Sequence, residues 1–231
     1  MTRYKHIFFD LDGTLWDFDR NSSLALLKVF EKLNLADLKI DSRHFINSFK
    51  THNDNLWGLY RQKKVTKSLL LSERFRLLFQ DFNIDNENLV DKARENYSLY
   101  LPSHSYLIDG AKHLIETLCG RFKLYIVSNG FIETQLLKLK SSSIDQYFNK
   151  VFTSDIIGCS KPDKRIFEYA VKSVNARKTE SIFVGDDLTN DIQGAKTFGI
   201  DQVWFNPQKT SANIEPTYEI EELIQLIEIV S

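Results

Sequence analysis

The chain has 231 residues, and its 30 Lys and Arg residues nearly balance its 31 Asp and Glu residues, giving a formal net charge of −1. This length predicts one large domain or one domain with an insertion, and the near-neutral charge disfavours a dedicated binder of nucleic-acid polymers. Two cysteines in no metal-ligand spacing exclude a disulfide framework. No apolar run approaches the roughly 20 residues of a membrane span, and the first residues lack a signal-peptide core, so we expect a cytoplasmic protein with no membrane partner.

Short apolar runs along the chain predict β-strands. They cover, with the residues that end them, positions 5–10, 124–129, 150–154, 181–186 and 202–206. Runs of Val, Ile and Phe without alternation are typical of strands that are buried on both faces. Helical patterns lie between or after these runs, at about 132–140, 163–174, 189–198 and 219–229. Strands that alternate with helices predict an α/β fold with a parallel sheet.

The segment 18–101 has a different pattern. Apolar residues such as Leu26, Phe30 and Leu33 recur there at helical spacing, and no strand-like run interrupts them. We therefore predict an all-helical domain inserted after the first strand. The predicted boundaries are 1–15 and 106–231 for the sheet domain and 16–105 for the helical insertion.

Several polar residues follow the predicted strands and could carry chemistry. They are Asp10, Asp12, Ser128, Asn129, Lys161, Asp186, Asp187 and Asp191. Ligands of open α/β sheets bind beyond the carboxyl ends of the strands, so these residues should meet in one crevice. Carboxylates that lie close together repel one another unless a cation lies between them, and Mg²⁺ prefers such oxygen ligands. With a lysine and hydroxyl donors, this set predicts phosphoryl transfer, for which an Asp carboxylate is a known nucleophile.

Four segments resemble the motifs of the haloacid dehalogenase superfamily. They are Asp10-Leu-Asp-Gly-Thr14, Ser128-Asn129, Lys161-Pro162 and Gly185-Asp-Asp-Leu-Thr-Asn-Asp191. The resemblance covers essentially the whole chain. It implies a Rossmann-like catalytic core with a helical cap inserted between the first and second motifs.

The resemblance also implies catalytic and metal-binding roles. Asp10 would be the nucleophile that attacks phosphorus. Asp12 would be the acid that protonates the leaving oxygen and then the base that activates water. Mg²⁺ would be held by the Asp10 and Asp186 side chains and by the backbone carbonyl of Asp12.

The remaining motif residues would handle the phosphate group. By resemblance, Ser128 and the backbone of Asn129 would bind phosphate oxygens, and Lys161 would neutralise phosphoryl charge. Asp191 would support the site by orienting a metal water or Lys161.

The acid at position 12 favours phosphate esters over halogenated acids, because a halide leaves without a proton whereas an ester oxygen needs one. The segments 14–18, 128–135, 185–191 and 204–207 further resemble a cytosolic nucleotidase branch that acts on nucleoside 5′-monophosphates, including noncanonical pyrimidine ones. The resemblance implies a Mg²⁺-dependent phosphatase whose partner is a small phosphorylated metabolite. Three alternatives stay open: a phosphomutase, a sugar-phosphate or phosphoglycolate phosphatase, and a non-catalytic phosphometabolite-binding protein.

Four aromatic residues in or near the insertion are candidates for stacking on a nucleobase. They are Trp16, Phe18, Trp57 and Tyr60. Stacking on aromatic faces tolerates any base, which suits a nucleotide pocket. The same residues also suit a helix–helix core.

Overall fold

The computed structural model describes residues 3–211 and 214–231, so positions 1, 2, 212 and 213 of the predicted sheet domain lie outside it. The chain forms two units. One, which we call the sheet unit, comprises the chain up to Phe18 together with Ser105–Ser231; the other, the helical unit, is Asp19–His104. The exact domain boundaries given above stay a prediction.

A six-stranded parallel sheet lies at the centre of the sheet unit, in the order β3-β2-β1-β4-β5-β6. The strands are β1 (His6–Phe9), β2 (Lys123–Ser128), β3 (Lys150–Thr153), β4 (Ser181–Gly185), β5 (Asp201–Phe205) and β6 (Tyr218–Ile220). Each of the five neighbouring pairs is parallel. The predicted α/β, Rossmann-like sheet is therefore confirmed.

Helices account for most of the remaining regular structure. Over the described ranges they are α1 (Phe18–Lys32), α2 (Ser42–Arg61), α3 (Lys67–Gln80), α4 (Glu87–Tyr100), α5 (Ala111–Leu118), α6 (Ile132–Ser141), α7 (Ser154–Ile157), α8 (Lys164–Ser173), α9 (Gly194–Phe198) and α10 (Leu226–Val230). A π-helical turn, Leu188–Gln193, lies between β4 and α9. No helix in the parts of the chain that the structure describes has both the length and the apolar character needed to cross a bilayer.

The C-terminal segment differs from its prediction. The sequence predicts one helix over 219–229, whereas Tyr218–Ile220 form strand β6 and the helix begins only at Leu226. Phe205 pairs with Ile220, whose side chain is buried, while Glu219 is exposed. A strand of three residues with one buried side chain produces no apolar run in the sequence. The predicted helix therefore begins too early, because the helical pattern of the following residues extends over the strand.

Helix α8 packs on the central strands through aromatic side chains. Phe167 of α8 meets Phe183 of β4 with ring centroids 5.1 Å apart, in an edge-to-face arrangement. Phe8 of β1 belongs to the same buried cluster. Burying each such side chain contributes on the order of 2 kcal/mol, so this layer holds the strands, and thus their carboxyl ends, in fixed positions.

The helical unit has its own capped helices and its own core. Asp41, Thr66 and Asn86 each accept a hydrogen bond from a backbone N–H of the first turn of α2, α3 and α4, which satisfies donors that a helix start leaves free. The rings of Phe49, Phe75 and Tyr97 contact one another at tilted or edge-to-face angles in the buried core, with centroids 4.9–5.6 Å apart. The helix caps and the buried core of the helical unit are thus both formed by residues of that unit.

Candidate active site

Three carboxylates meet at the carboxyl edge of the sheet. Asp10 follows β1, and Asp186 follows β4, which pairs with β1 in register through Phe9 and Val184. Asp191 comes from the helical turn after β4. One carboxylate oxygen from each of Asp10, Asp186 and Asp191 lies within 4.8 Å of the others. We call this group the carboxylate trio.

Burial and mutual repulsion disfavour negative charge on the trio. Asp10 is 7% exposed and Asp191 only 1%. Burial, the largest cause, and the neighbouring carboxylates together raise the pKa of Asp10 and Asp186 to about 7 and that of Asp191 to about 6, while the Lys161 ammonium opposes this rise. A divalent cation between the oxygens would remove this repulsion, and an all-oxygen donor set is the kind that Mg²⁺ prefers. The residues present therefore fit a Mg²⁺ ion.

Lys161 lies against two members of the trio. Its Nζ is 2.5 Å from Asp10 Oδ1 and 2.6 Å from Asp191 Oδ1, and the side chain is 3% exposed. Burial alone would lower the pKa of Lys161, but the two carboxylates raise it above its ordinary value. The lysine is thus a fixed positive charge beside Asp10.

The side chain of Asn129 fixes the loop that carries this lysine. Its Nδ2 donates to the Lys161 carbonyl at 3.1 Å, and its Oδ1 accepts from the Lys161 N–H at 2.8 Å. Ser154 Oγ in turn donates to the Asn129 carbonyl at 3.0 Å. The side-chain amide is thus engaged with the loop, and phosphate binding by the Asn129 backbone stays a prediction.

Asp186 is held by two residues to which the sequence assigns no role. Thr14 Oγ1 donates to Asp186 Oδ1 at 2.7 Å, and Trp204 Nε1 donates to the Asp186 carbonyl at 2.9 Å. Gly13 has φ +92°, and a Cβ there would lie 2.6 Å from Asp186 Oδ2. Glycine at position 13 thus supplies both the turn and the space that Asp186 occupies. Thr14 and Trp204 lie inside recognised segments, but nothing in the sequence pairs them with Asp186.

Asp12 points to a different set of partners. Its Oδ1 lies 2.6 Å from Lys138 Nζ, and its Oδ2 accepts from Gln135 Nε2 at 2.7 Å. The same Gln135 nitrogen donates to Ser128 Oγ at 2.6 Å. The structure thus links Asp12 and Ser128 through helix α6. Lys138 is a site residue that the sequence analysis missed.

Asp187 acts as a helix cap. Its side chain is exposed and accepts from the backbone N–H groups of Thr189 and Asn190. Its own backbone N–H donates to Asp191 Oδ2 at 3.1 Å. Of the two residues, therefore, Asp191 is the one whose carboxylate joins the trio.

The aromatic candidates are mostly committed to packing. Trp16 is fully buried, and Lys138 Nζ lies 4.4 Å from the centre of its ring, which supports a packing role for this residue. Trp57 and Tyr60 contact each other edge to face at 5.6 Å within the helical unit.

The sequence and the fold are both similar to those of known proteins. The sequence pattern of the haloacid dehalogenase-like hydrolases matches residues 4–199. The fold is similar to that of the HAD-hydrolase YfnB from Bacillus subtilis, solved bound to magnesium, with a TM-score of 0.89 and 33% identity over 99% of both chains. The pyrimidine 5′-nucleotidase PynA of Streptococcus pneumoniae is 32% identical, covering 94% of this chain and 91% of its own. The pyrimidine 5′-nucleotidase YjjG of Escherichia coli is 27% identical over 97% and 96%.

Proposed function

Since the chain belongs to the haloacid dehalogenase-like hydrolases, we propose that this enzyme is a Mg²⁺-dependent phosphatase that hydrolyses nucleoside 5′-monophosphates through an aspartyl-phosphate on Asp10. The observation that carries the proposal is the position of Asp10, which lies beside the Lys161 ammonium and within 4.8 Å of the other two carboxylates of the trio. A carboxylate beside a fixed cation and a metal-binding donor set suits attack on a negatively charged phosphoryl group.

Mg²⁺ would be held by Asp10, Asp186 and the Asp12 carbonyl, with Asp191 beside them, and would supply positive charge to the trio and the phosphoryl group. In the first step, an Asp10 oxygen forms a bond to phosphorus while the bond from phosphorus to the ester oxygen breaks. Asp12 gives its proton to that oxygen, which leaves as an alcohol. Lys161 and the Ser128 hydroxyl hold phosphoryl oxygens during the transfer.

In the second step, water attacks the phosphorus of the aspartyl-phosphate. Asp12, now a carboxylate, takes a proton from that water, and the bond from phosphorus to Asp10 breaks. Inorganic phosphate leaves, and both aspartates return to their starting states. The two steps thus need one nucleophile and one group that can both donate and accept a proton.

The substrate class rests on the relatives. PynA and YjjG are named pyrimidine 5′-nucleotidases, and each aligns with more than nine-tenths of this chain. These similarities support a nucleoside 5′-monophosphate, with the pyrimidine nucleotides as the first candidates.

The experiment is phosphate release from nucleoside 5′-monophosphates, sugar phosphates and phosphoglycolate with Mg²⁺. We expect selective turnover of nucleotides that is lost in EDTA and in Asp10→Asn, and unchanged in Asp145→Asn. Asp145 is an exposed aspartate of the same unit, so its variant is a matched control.

Each other outcome has a distinct meaning. Turnover of sugar phosphates alone would support the phosphatase mechanism and contradict the proposed nucleotide substrate. An isomerised product without released phosphate would indicate a phosphomutase. Full activity of Asp10→Asn, or no reaction with any ester, would overturn the proposal.

A further inference from the structure

Helix α6 buries two polar side chains and exposes two of its three leucines. Gln135 is fully buried and Lys138 is 3% exposed, whereas Leu136 and Leu137 are 49% and 52% exposed. Burying an ammonium or an amide is unfavourable unless it finds partners. Elements that break their own amphipathic pattern tend to do so at functional sites. The contacts of the two buried polar residues therefore indicate what these residues do.

Both residues direct their donors to one carboxylate. Residues three apart on a helix lie on the same face, and from that face Lys138 and Gln135 each contact a different oxygen of Asp12, at 2.6 and 2.7 Å. The Lys138 ammonium also lies over the rings of Trp16 and Phe18, at 4.4 and 5.4 Å. The rings and the ion pair together fix the position of the ammonium.

The space around the Gln135 amide is equally restricted. Gly130 faces it so closely that a Cβ at position 130 would lie 2.1 Å from Gln135 Nε2. The same nitrogen donates to the Ser128 hydroxyl at 2.6 Å, which in turn accepts from the Gly130 N–H at 3.0 Å. The amide can therefore donate to Asp12 in only a narrow range of orientations.

We propose that Gln135 and Lys138 are positioning residues that hold the Asp12 carboxyl group in the orientation in which it transfers a proton to the ester oxygen. The inference rests on the proposed function and deepens it. Each Asp12 oxygen accepts one of the two hydrogen bonds, and a carboxylate oxygen has two lone pairs. One lone pair per oxygen is therefore left for the proton that is transferred.

The same contacts suit the product of that transfer. As the bond between phosphorus and the ester oxygen breaks, the proton passes to that oxygen and Asp12 keeps the electron pair of its O–H bond. Asp12 then carries a negative charge, and hydrogen bonds from an ammonium and an amide stabilise a charged acceptor more than a neutral one.

The test compares two leaving groups. A nucleoside 5′-monophosphate is an alkyl ester whose oxygen needs a proton, whereas p-nitrophenyl phosphate releases a phenolate that needs none. For Lys138→Met and Gln135→Met we expect kcat/KM, which reports the steps up to departure of the leaving group, to fall on the order of 100-fold on the alkyl ester and less than about fivefold on the aryl ester, since general acid catalysis contributes roughly 10²–10⁴. Asp12→Asn should show the same contrast in kcat/KM, with kcat lowered on both esters because Asp12 also activates the water of the second step. Lys140→Met, an exposed position of the same helix, should leave both rates unchanged.

The outcomes separate this inference from the function it rests on. An equal loss on both esters, or no loss on the alkyl ester, in a variant of an active wild-type enzyme would overturn the positioning role alone. No phosphate release by the wild-type protein from either ester would overturn both. Circular dichroism checks folding, and Gln135→Met, which leaves the ion pair of Lys138 in place, decides the question if Lys138→Met does not fold.

Discussion

Thr14 illustrates how one hydroxyl group can set the charge of a buried carboxylate. Its hydrogen bond to Asp186 Oδ1 favours the ionised form and lowers the Asp186 pKa, against burial and the charge of Asp10, which raise it. A metal ion binds the ionised carboxylate, so whatever favours that form also favours metal binding. Thr14 is fully buried, and water cannot replace its hydroxyl.

We predict that Thr14→Val weakens the response to Mg²⁺. The substitution keeps the volume of the side chain and removes the donor. A hydrogen bond to a charged group contributes roughly 1.5–3 kcal/mol, so the Mg²⁺ concentration at half-maximal phosphate release should rise about tenfold or more. The measurement is a Mg²⁺ titration of activity.

Thr153→Val is the matched control for this prediction. Thr153 is also fully buried, at the end of β3, and its hydroxyl has no hydrogen-bond partner among the described residues. Its loss should leave the Mg²⁺ titration unchanged. If Thr14→Val also gave an unchanged titration, the hydroxyl would have no part in the metal site.

Single residues differ in how well the sequence predicts them. Asp10 and Asp186 meet because each follows a central strand, and the sequence predicts their convergence because both follow apolar runs of a parallel sheet, whose carboxyl ends share one edge. Lys138 and Trp204 reach the site through side-chain directions and a helix orientation that the sequence pattern does not contain. Resemblance to a family supplies roles for its motif residues but not for their supporting partners.

At the scale of elements, strand prediction succeeds where the strand is buried on both faces. The first five strands carry runs of Val, Ile and Phe, and the structure contains all five. The edge strand β6 is too short to produce such a run. Helix α6 has a helical pattern, but its apolar residues predict the buried face only in part: Leu139 is buried, whereas Leu136 and Leu137 are exposed.

Two glycines in helices allow a sharp test of packing between elements. Gly194 begins α9, and a Cβ there would lie 2.7 Å from the Phe167 ring and 3.0 Å from the Pro162 backbone. Gly58 lies in α2, where a Cβ would meet nothing within 4 Å. Replacing either glycine with alanine improves helix propensity. The difference between the two effects on the free energy of unfolding therefore measures the packing of α9 against its neighbours.

We predict opposite effects of the two alanine variants on stability. Gly58→Ala should raise the free energy of unfolding by up to about 1 kcal/mol, because alanine is the better helix former. Gly194→Ala should lower it by roughly 1–3 kcal/mol, because overpacking outweighs that gain. Urea denaturation measures both. A Gly194→Ala protein as stable as the wild type would show that Phe167 moves aside without cost.

At the scale of the whole molecule, the sequence separates the two units because apolar residues recur at different periods in each. The sheet unit holds every residue to which a catalytic or phosphate-binding role is assigned. The helical unit has a separate core, in which the buried Arg74 donates to Asn53 and lies 4.9 Å from the ring of Tyr97. Which side chains select the substrate could not be read from the sequence, because one chain does not distinguish a packing aromatic from a binding one.

The carboxylate trio links the stability of the sheet unit to pH. The ordinary pKa of an aspartate is 3.8, whereas Asp10 and Asp186 in the folded, metal-free protein have pKa values of about 7. Between these values the folded state binds protons that the unfolded state has released. The stability that these two protonated carboxyl groups contribute is therefore complete below a pH of 3.8, and it is lost as the pH rises towards about 7.

We predict that, in EDTA, Asp186→Asn gains stability relative to the wild type as pH rises from about 5.5 to about 7.5, since asparagine does not ionise. Mg²⁺ should reverse the order, because it binds the ionised trio of the wild type. At 100 times its dissociation constant it stabilises the folded state by about 2.7 kcal/mol, and the gain should be larger at the higher pH. Scanning calorimetry with and without Mg²⁺ measures each difference. A wild-type protein that gains no stability from Mg²⁺ at the higher pH would contradict metal binding by the trio.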